Sequence, residues 1–389
     1  MKLPIYLDYH ATTPVDPRVL EAMLPYFTEN FGNPASRNHK FGWTAATVVD
    51  NARKQVAKLI NASAKEIIFT ASASESNNMA VKGVAQRYLD RGNHIITMAT
   101  EHKAVLYSAK RLEEDGFSVT LAPVGPDGLV IVDSLQKAIT PRTSLVSIMA
   151  ANNEIGVLQP LEKIGQICRE RGVLFHTDAA QAAGKIPIDV QAMNIDLLSI
   201  AGHKMYAPKG IGALWIRQRG TPVELIPVID GGGHEGGLRS GTLNVPGIVG
   251  LGKACEICRQ EMPEESKRVG ALRDRLKDGL MAQLSGIHIN GSLEHRLPNN
   301  LNVSFPGIDL ATLMAALNDI ALSSGSACTS GTPEPSYVLQ ALGVSEEIAN
   351  TPLRFGLGRY TTAEEIDHCL NRVVETVKQL RSLGGTAAA

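Results

Sequence analysis

The chain reads as an α/β protein, with a large domain on a mostly parallel sheet flanked by helices and a smaller α+β domain after it. Two observations predict this. Between about residue 60 and residue 216, apolar strand-like runs alternate with polar loops and helix-like stretches, the pattern of a parallel sheet covered on both faces. At 389 residues the chain is also too long for one ordinary core, and its 44% apolar residues can bury a substantial one.

In order, the predicted strands are Glu66–Phe69, His94–Met98, Ser118–Ala122, Leu145–Met149, Val173–Thr177, Asp196–Ile200 and Gly212–Ile216. Helical stretches over Asn78–Arg91, Leu106–Asp115 and Leu161–Arg171 separate several of them. From Val245 to about Arg275 the sequence reads as long helix, interrupted near Pro263. A shorter mixture of strand and helix follows and ends in a helix over Ala363–Leu383. The domain boundary is expected near residue 260: residues 15–260 form the large domain, and residues 1–14 join 261–389 in the small one. The tail from Gly384 to Ala389 is expected to fray. There is no internal repeat.

Composition narrows the function classes. With 38 basic against 39 acidic residues the formal net charge is −1, so nothing favours non-specific binding to nucleic acid or to a membrane surface. A small molecule or another protein is the expected partner. Pro4 and Asp8 break the first apolar run, no small-residue cleavage site follows, and no apolar stretch is long enough to span a bilayer. Five scattered cysteines, an odd number, fit a reducing compartment, and the expected location is the cytoplasm.

The chemistry gathers at strand ends. Asp178 closes one predicted strand, and Ala201-Gly-His203-Lys204 follows the next. In open α/β sheets ligands bind at the carboxyl ends of the strands, so a carboxylate and an amine would face one crevice. That pairing suits pyridoxal phosphate: lysine forms a Schiff base with the aldehyde, and aspartate keeps the pyridine nitrogen protonated. Taken alone, Asp and Lys at strand ends usually mean solvated loop residues or a surface ion pair. Their neighbours decide the matter. After the first strand comes Thr70-Ala-Ser-Ala-Ser74-Glu-Ser76-Asn-Asn78, a hydroxyl-rich turn entering a helix, which can hold a phosphate or can be a plain helix cap. Thr100-Glu-His102 and Asn152-Asn153-Glu154 follow two other strands. His102 can stack on an aromatic ring and move a proton, Gln181 can hydrogen-bond a phenolate oxygen, and His203 can donate to a phosphate. The glycine-rich run from Gly231 to Thr242 does not lead from strand to helix, which rules out a dinucleotide fingerprint.

Cys328 sits in Ser323-Ser-Gly-Ser-Ala-Cys328-Thr-Ser-Gly-Thr, small residues that predict a flexible, exposed loop. A thiol there suits nucleophilic attack once ionised. Cys255 and Cys258 form a C-x-x-C within helix and read as core residues one turn apart; Cys168 and Cys369 also fall in helix-like segments, and no second pair completes a metal set. Arg354, in an apolar and glycine-rich stretch, can clamp a substrate carboxylate or form a structural ion pair.

These residues match a known pattern. The chain resembles the NifS/IscS-type cysteine desulfurases, in the class V aminotransferase group of fold type I pyridoxal-phosphate enzymes. The likeness runs through Tyr6-Leu-Asp-Tyr-His-Ala-Thr-Thr-Pro14, Gly32-Asn-Pro34, Thr100-Glu-His-Lys-Ala104, Asn152-Asn-Glu-Ile-Gly156, His176-Thr-Asp-Ala-Ala-Gln181, His203-Lys204, Arg239-Ser-Gly-Thr242 and the Cys328 segment with Glu334-Pro-Ser-Tyr337, which is similar to the long-loop subgroup.

The resemblance implies that Lys204 carries the cofactor, Asp178 meets the pyridinium, His102 stacks on the ring and transfers protons, and Gln181 meets the phenolate. Ala73, Ser74 and His203 would hold the phosphate, with Thr242 reaching it from the second subunit of a homodimer. Asn153 and Arg354 would bind the substrate carboxylate, and Cys328 would accept the sulfur. The implied reaction converts L-cysteine to L-alanine, with sulfur passed as a persulfide to an acceptor such as an iron–sulfur scaffold. The alternatives are a cystine or selenocysteine lyase or an aminotransferase on the same fold, or a scaffold protein that has lost the chemistry. The chain departs from the pattern at Ser72, often glycine in the family, and at Ser74, often threonine. Ala201 stands where a phosphate-binding serine is usual, and Gly236 where close relatives carry arginine.

Overall fold

The computed structural model describes residues 2–324 and 335–385. After a short strand β1 (Ile5–Tyr6), seven strands build the main sheet: β2 (Ile67–Thr70), β3 (His94–Met98), β4 (Ser118–Ala122), β5 (Thr143–Ser147), β6 (Leu174–Asp178), β7 (Leu197–Ala201) and β8 (Gly212–Ile216). Their order is β2-β8-β7-β6-β5-β3-β4. All run parallel except β8, which pairs antiparallel with both β2 and β7.

The continuous apolar runs follow from burial on both faces. Along β2, β7 and β8, alternate side chains enter opposite cores. Ile68, Ile95, Leu145, Leu197 and Leu214 pack with Met79, Val84 and Leu112 of the helices Ala73–Arg87 and Lys103–Glu114. Ile67, Ile96, Val146, Leu198 and Ala213 pack on the other side with Val49, Ile164 and Leu251 of the helices Lys40–Leu59, Leu161–Arg171 and Val245–Gln283. Only the edge strand β4 is substantially exposed.

A second core holds Ile5 and Leu7 together with Leu276, Val303, Phe305, Phe355 and Val373. Its antiparallel sheet has the order β12-β10-β9, from β9 (His288–Ile289), β10 (Asn300–Ser304) and β12 (Pro352–Gly356), while β11 (Ile320–Ala321) pairs parallel with β1. The closing helix runs from Ala363 to Gly385, so Gly384 is helical, and residues 386–389 lie outside the described residues.

Three expectations are corrected. Val245–Gln283 is one helix through Pro263, with no interruption. Proline inside a helix costs about 3 kcal/mol, and both flanks offset it by burial: Ile248 to Cys258 in the first core, Val269 to Leu280 in the second. Glu66 belongs to a short 3-10 turn before β2; its buried carboxylate accepts from the Ser63 and Gln218 amides and from the Trp215 indole. The helix after β2 begins at Ala73, five residues before the expected Asn78, because Ser72 caps it.

Candidate active site

The crevice lies at the carboxyl ends of the parallel strands. Asp178 is the last residue of β6 and is 4% exposed. Its Oδ2 accepts from the Asn77 amide at 2.6 Å and its Oδ1 from the Ala180 amide at 2.9 Å. Both of these donors are neutral, and neither is a cation. Asn77 stands on the helix Ala73–Arg87, in the hydroxyl-rich stretch, and was not picked out from sequence.

Lys204 ends the single 3-10 turn after β7. Its Nζ donates to the main-chain oxygens of His10 and Ala11, the latter at 2.6 Å. Burial, then the Arg354 charge, pull the amine down to about 8, opposed by Asp8 and Asp178. Carbonyl acceptors hold the amine without fixing its proton, and a lysine tuned this way is nucleophilic near neutral pH.

His102 caps the helix Lys103–Glu114, its Nδ1 accepting from the Ala104 amide at 3.1 Å. A ring nitrogen that accepts carries no proton, so the neutral ring is protonated on Nε2. Desolvation lowers its pKa, with Asp178 raising and Lys204 lowering it, which puts all three groups in one field. Gln181, 4% exposed, binds His10 through both ends of its amide: Oε1 with the His10 Nδ1 at 2.9 Å, and Nε2 donating to the His10 carbonyl at 3.0 Å. Lys185 Nζ also donates to Oε1 at 3.2 Å.

The helix Ala73–Arg87 aims its start at the same crevice. Of its first amides, Glu75 donates to Ser72 Oγ and Ser76 to the Ser72 carbonyl. Those of Ala73 and Ser74 are left for an acceptor outside the helix, the usual arrangement for an anion. Ser74 is exposed there. His203, beside Lys204, pairs its Nδ1 with Thr12 Oγ1 at 3.1 Å, and burial with the Lys204 charge lowers it to about 4. Thr242 is exposed in the loop before the helix Val245–Gln283.

Arg354, in β12, is 3% exposed. Its Nη2 donates to Asp8 Oδ1 at 2.8 Å and its Nη1 to the Asn153 carbonyl at 2.9 Å. Among the described residues its Nε and the Asn153 Oδ1 are buried without a partner, as is the Asn77 Oδ1. Buried polar atoms are rarely left so, and Asn77 bonds Asp178 while Asn153 bonds Arg354 through its main-chain carbonyl. Asp8 and His10 carry no signal of their own in the sequence, because their contacts join positions far apart in the chain.

Cys328 lies outside the described residues. The remaining cysteines, Cys168, Cys255, Cys258 and Cys369, are free and buried, as expected of core thiols. Among the described residues no cluster could hold a metal ion and no helix is long and apolar enough to cross a membrane.

Comparison with known proteins fits this geometry. The family model of aminotransferase class-V matches residues 5–369. A cysteine desulfurase IscS from Anaeromyxobacter sp. (strain Fw109-5) is 58% identical over 383 residues, 98% of this chain and 95% of the relative. Among solved structures, a NifS-like protein superposes with a TM-score of 0.90 at 42% identity, covering 97% of this chain and all of that one. A second, SspA in complex with cysteine, gives 0.83 at 40% identity over 92% of this chain and all of its own. With a fold, a crevice and a sequence that agree, the chain belongs to the aminotransferase class-V family, in its cysteine desulfurase branch.

Proposed function

We propose that the protein is a pyridoxal-phosphate-dependent cysteine desulfurase that converts L-cysteine to L-alanine and takes the sulfur onto Cys328. The observation that carries this is the pairing of Lys204, its amine lowered to about 8, with Asp178, a buried carboxylate that accepts from the neutral Asn77 and Ala180 amides. The donor set fits the cofactor: Lys204 for the aldehyde carbon, Asp178 for the pyridine nitrogen, Gln181 for the phenolate oxygen, and the Ala73 and Ser74 amides with His203 for the phosphate. Thr242 reaches the phosphate from a second copy of the chain in a homodimer. When bound, pyridoxal phosphate supplies an electron sink for charge left at the substrate α-carbon.

The chain's own groups do the rest. Arg354 receives the substrate carboxylate on its Nε, which has no partner among the described residues, and Asn153, whose main-chain carbonyl accepts from Arg354, lies beside it. Lys204, once its amine is free, removes the α-proton. His102 is less suited to that step, because its Nδ1 already accepts from the Ala104 amide and its Nε2 carries the proton; it stacks on the ring and donates from Nε2. The Cys328 thiolate then attacks the substrate sulfur. A sulfur–sulfur bond forms as the carbon–sulfur bond breaks, the bonding pair stays on carbon, and protonation gives the methyl group of alanine. The persulfide sulfur passes to an acceptor protein such as an iron–sulfur scaffold.

The test is to incubate cofactor-loaded protein with L-cysteine and dithiothreitol and to quantify alanine, pyruvate and sulfide together. Alanine equal to sulfide is expected. Pyruvate in place of alanine would mean β-elimination, as in a lyase, and a requirement for a keto acid would mean transamination; either overturns the proposal.

A further inference from the structure

A glutamine amide has no inherent direction: turned over, it offers an oxygen where it had offered an N–H, and an oxygen would repel a phenolate. Something must fix Gln181, and its surroundings form a chain of hydrogen bonds that runs one way. Arg296, 6% exposed, has donors only, and its Nη1 donates to Asn300 Oδ1 at 3.0 Å. That turns the Asn300 Nδ2 toward the Glu154 carbonyl at 3.1 Å and the His10 Nε2 at 3.1 Å. An amide N–H can only donate, so His10 Nε2 must accept and the ring proton must sit on Nδ1. Nδ1 then donates to Gln181 Oε1 at 2.9 Å.

Lys185 delivers a second donor to the same oxygen, and one Gln181 N–H is taken by the His10 carbonyl. Reversal of the amide would set its NH2 group against two donors. One N–H is left over. Asn300 and His10 are no more than 1% exposed, and burial holds the imidazole neutral, so water cannot substitute for either. The space is also shaped for them. A Cβ at Gly156, whose φ is +69°, would lie 2.3 Å from the Asn300 side chain, and one at Gly356 would lie 2.9 Å from the His10 ring.

We propose that Arg296, Asn300 and His10 form a directional relay which, with Lys185, fixes the Gln181 amide as a donor toward an anionic ring oxygen of the cofactor. His10 is a positioning residue in this scheme, which rests on Gln181 facing that oxygen.

The experiment compares His10→Leu, His10→Asn, Gln181→Leu and the His10→Leu/Gln181→Leu double variant. Two quantities are read: the dissociation constant of pyridoxal phosphate from the cofactor-free protein, by fluorescence quenching, and the pH midpoint of the visible absorbance of the loaded protein. A structural role alone would shift a melting curve without moving the absorbance midpoint. His10→Leu should weaken cofactor binding about five- to tenfold, the worth of one well-oriented hydrogen bond, and move the midpoint in the same direction as Gln181→Leu. The double variant should be no worse than Gln181→Leu, and His10→Asn, which restores a donor near Nδ1, should return both quantities to within about twofold of the parent. A midpoint moved by Gln181→Leu and untouched by His10→Leu refutes the relay. A midpoint moved by neither refutes the assignment of Gln181 itself. Nitrogen NMR of histidine-labelled parent protein, with the His10 signal identified by its loss in His10→Asn, decides independently of how the leucine variant folds. A proton on Nδ1 is expected, and a proton on Nε2 overturns the proposal.

Discussion

Lys204 titrates in a range where pH itself is the perturbation. Only a neutral amine attacks an aldehyde, so the rate at which cofactor-free protein captures pyridoxal phosphate follows the neutral fraction of Lys204. With the amine at about 8, that fraction is about 1% at pH 6 and about one half at pH 8. The rate should therefore rise about fiftyfold over those two units and only about twofold more above them. A lysine at its ordinary value of about 10.4 would instead gain about tenfold per unit through pH 10. The assay is stopped-flow absorbance at fixed cofactor concentration from pH 6 to 10, with Lys204→Ala as the blank for other amines, Lys185 among them. A logarithmic rate still climbing with unit slope beyond pH 9 would refute the argument that burial tunes this lysine. The same shift affects stability. Because the folded value lies below the unfolded one, the native state binds fewer protons between about pH 8 and 10.4, and the contribution of Lys204 to stability rises with pH across that window.

Four further outcomes are expected. Arg354→Lys keeps a positive charge but loses the planar fork, so the KM for L-cysteine should rise about ten- to a hundredfold with the cofactor absorbance unchanged; an unaltered KM would remove Arg354 from the substrate site. Asp178→Asn should still bind cofactor yet turn over at least about a hundredfold more slowly, and a rate near that of the parent would show that the carboxylate does not hold the pyridine nitrogen. In Cys328→Ser no protein persulfide should be found by mass spectrometry while the cofactor spectrum still responds to L-cysteine; normal sulfur transfer by this variant would sink the scheme. Asp16, which receives Arg18 at 2.8 Å and Arg359 at 2.6 Å, is 2% exposed, and its pKa is pushed well below the usual carboxylate range by the Arg18 hydrogen bond. Asp16→Asn leaves the buried Arg359 short of a partner and should cost about 3 kcal/mol in urea unfolding. In the parent this stabilisation holds above the ordinary carboxylate pKa and is lost as pH falls toward the depressed one.

The main sheet was legible because its strands are buried on both faces and so read as uninterrupted apolar runs. β3, β4 and β8 were bounded correctly, and the others shifted by one or two residues where a buried polar residue such as Glu66 or Thr143 blurred the edge. The antiparallel direction of β8 was not legible, since periodicity does not encode direction. The uninterrupted helix through Pro263 was misread for a different reason: a local rule predicted a break, and packing on both sides of the proline outweighed it. Among site residues, those at strand ends stood out by position. Asn77, His10 and Asn300 did not, because their value lies in contacts 101, 171 and 290 residues away along the chain.

The crevice itself has a topological cause. β3 and β4 are neighbours, yet β5 pairs on the far side of β3, so the chain reverses its winding there and the loops on either side of the reversal part at the carboxyl ends. His102 comes from the loop after β3 and Asn153 from the loop after β5, one on each side of that opening, while Asp178 and Lys204 come from the next two strands. The remaining wall belongs to the second core: β12 brings Arg354, β10 brings Asn300, and the segment after β1 brings His10. The N-terminal segment therefore does more than cover an edge. Because the His10 carbonyl accepts from both Lys204 Nζ and Gln181 Nε2, it ties these two side chains to one point of main chain.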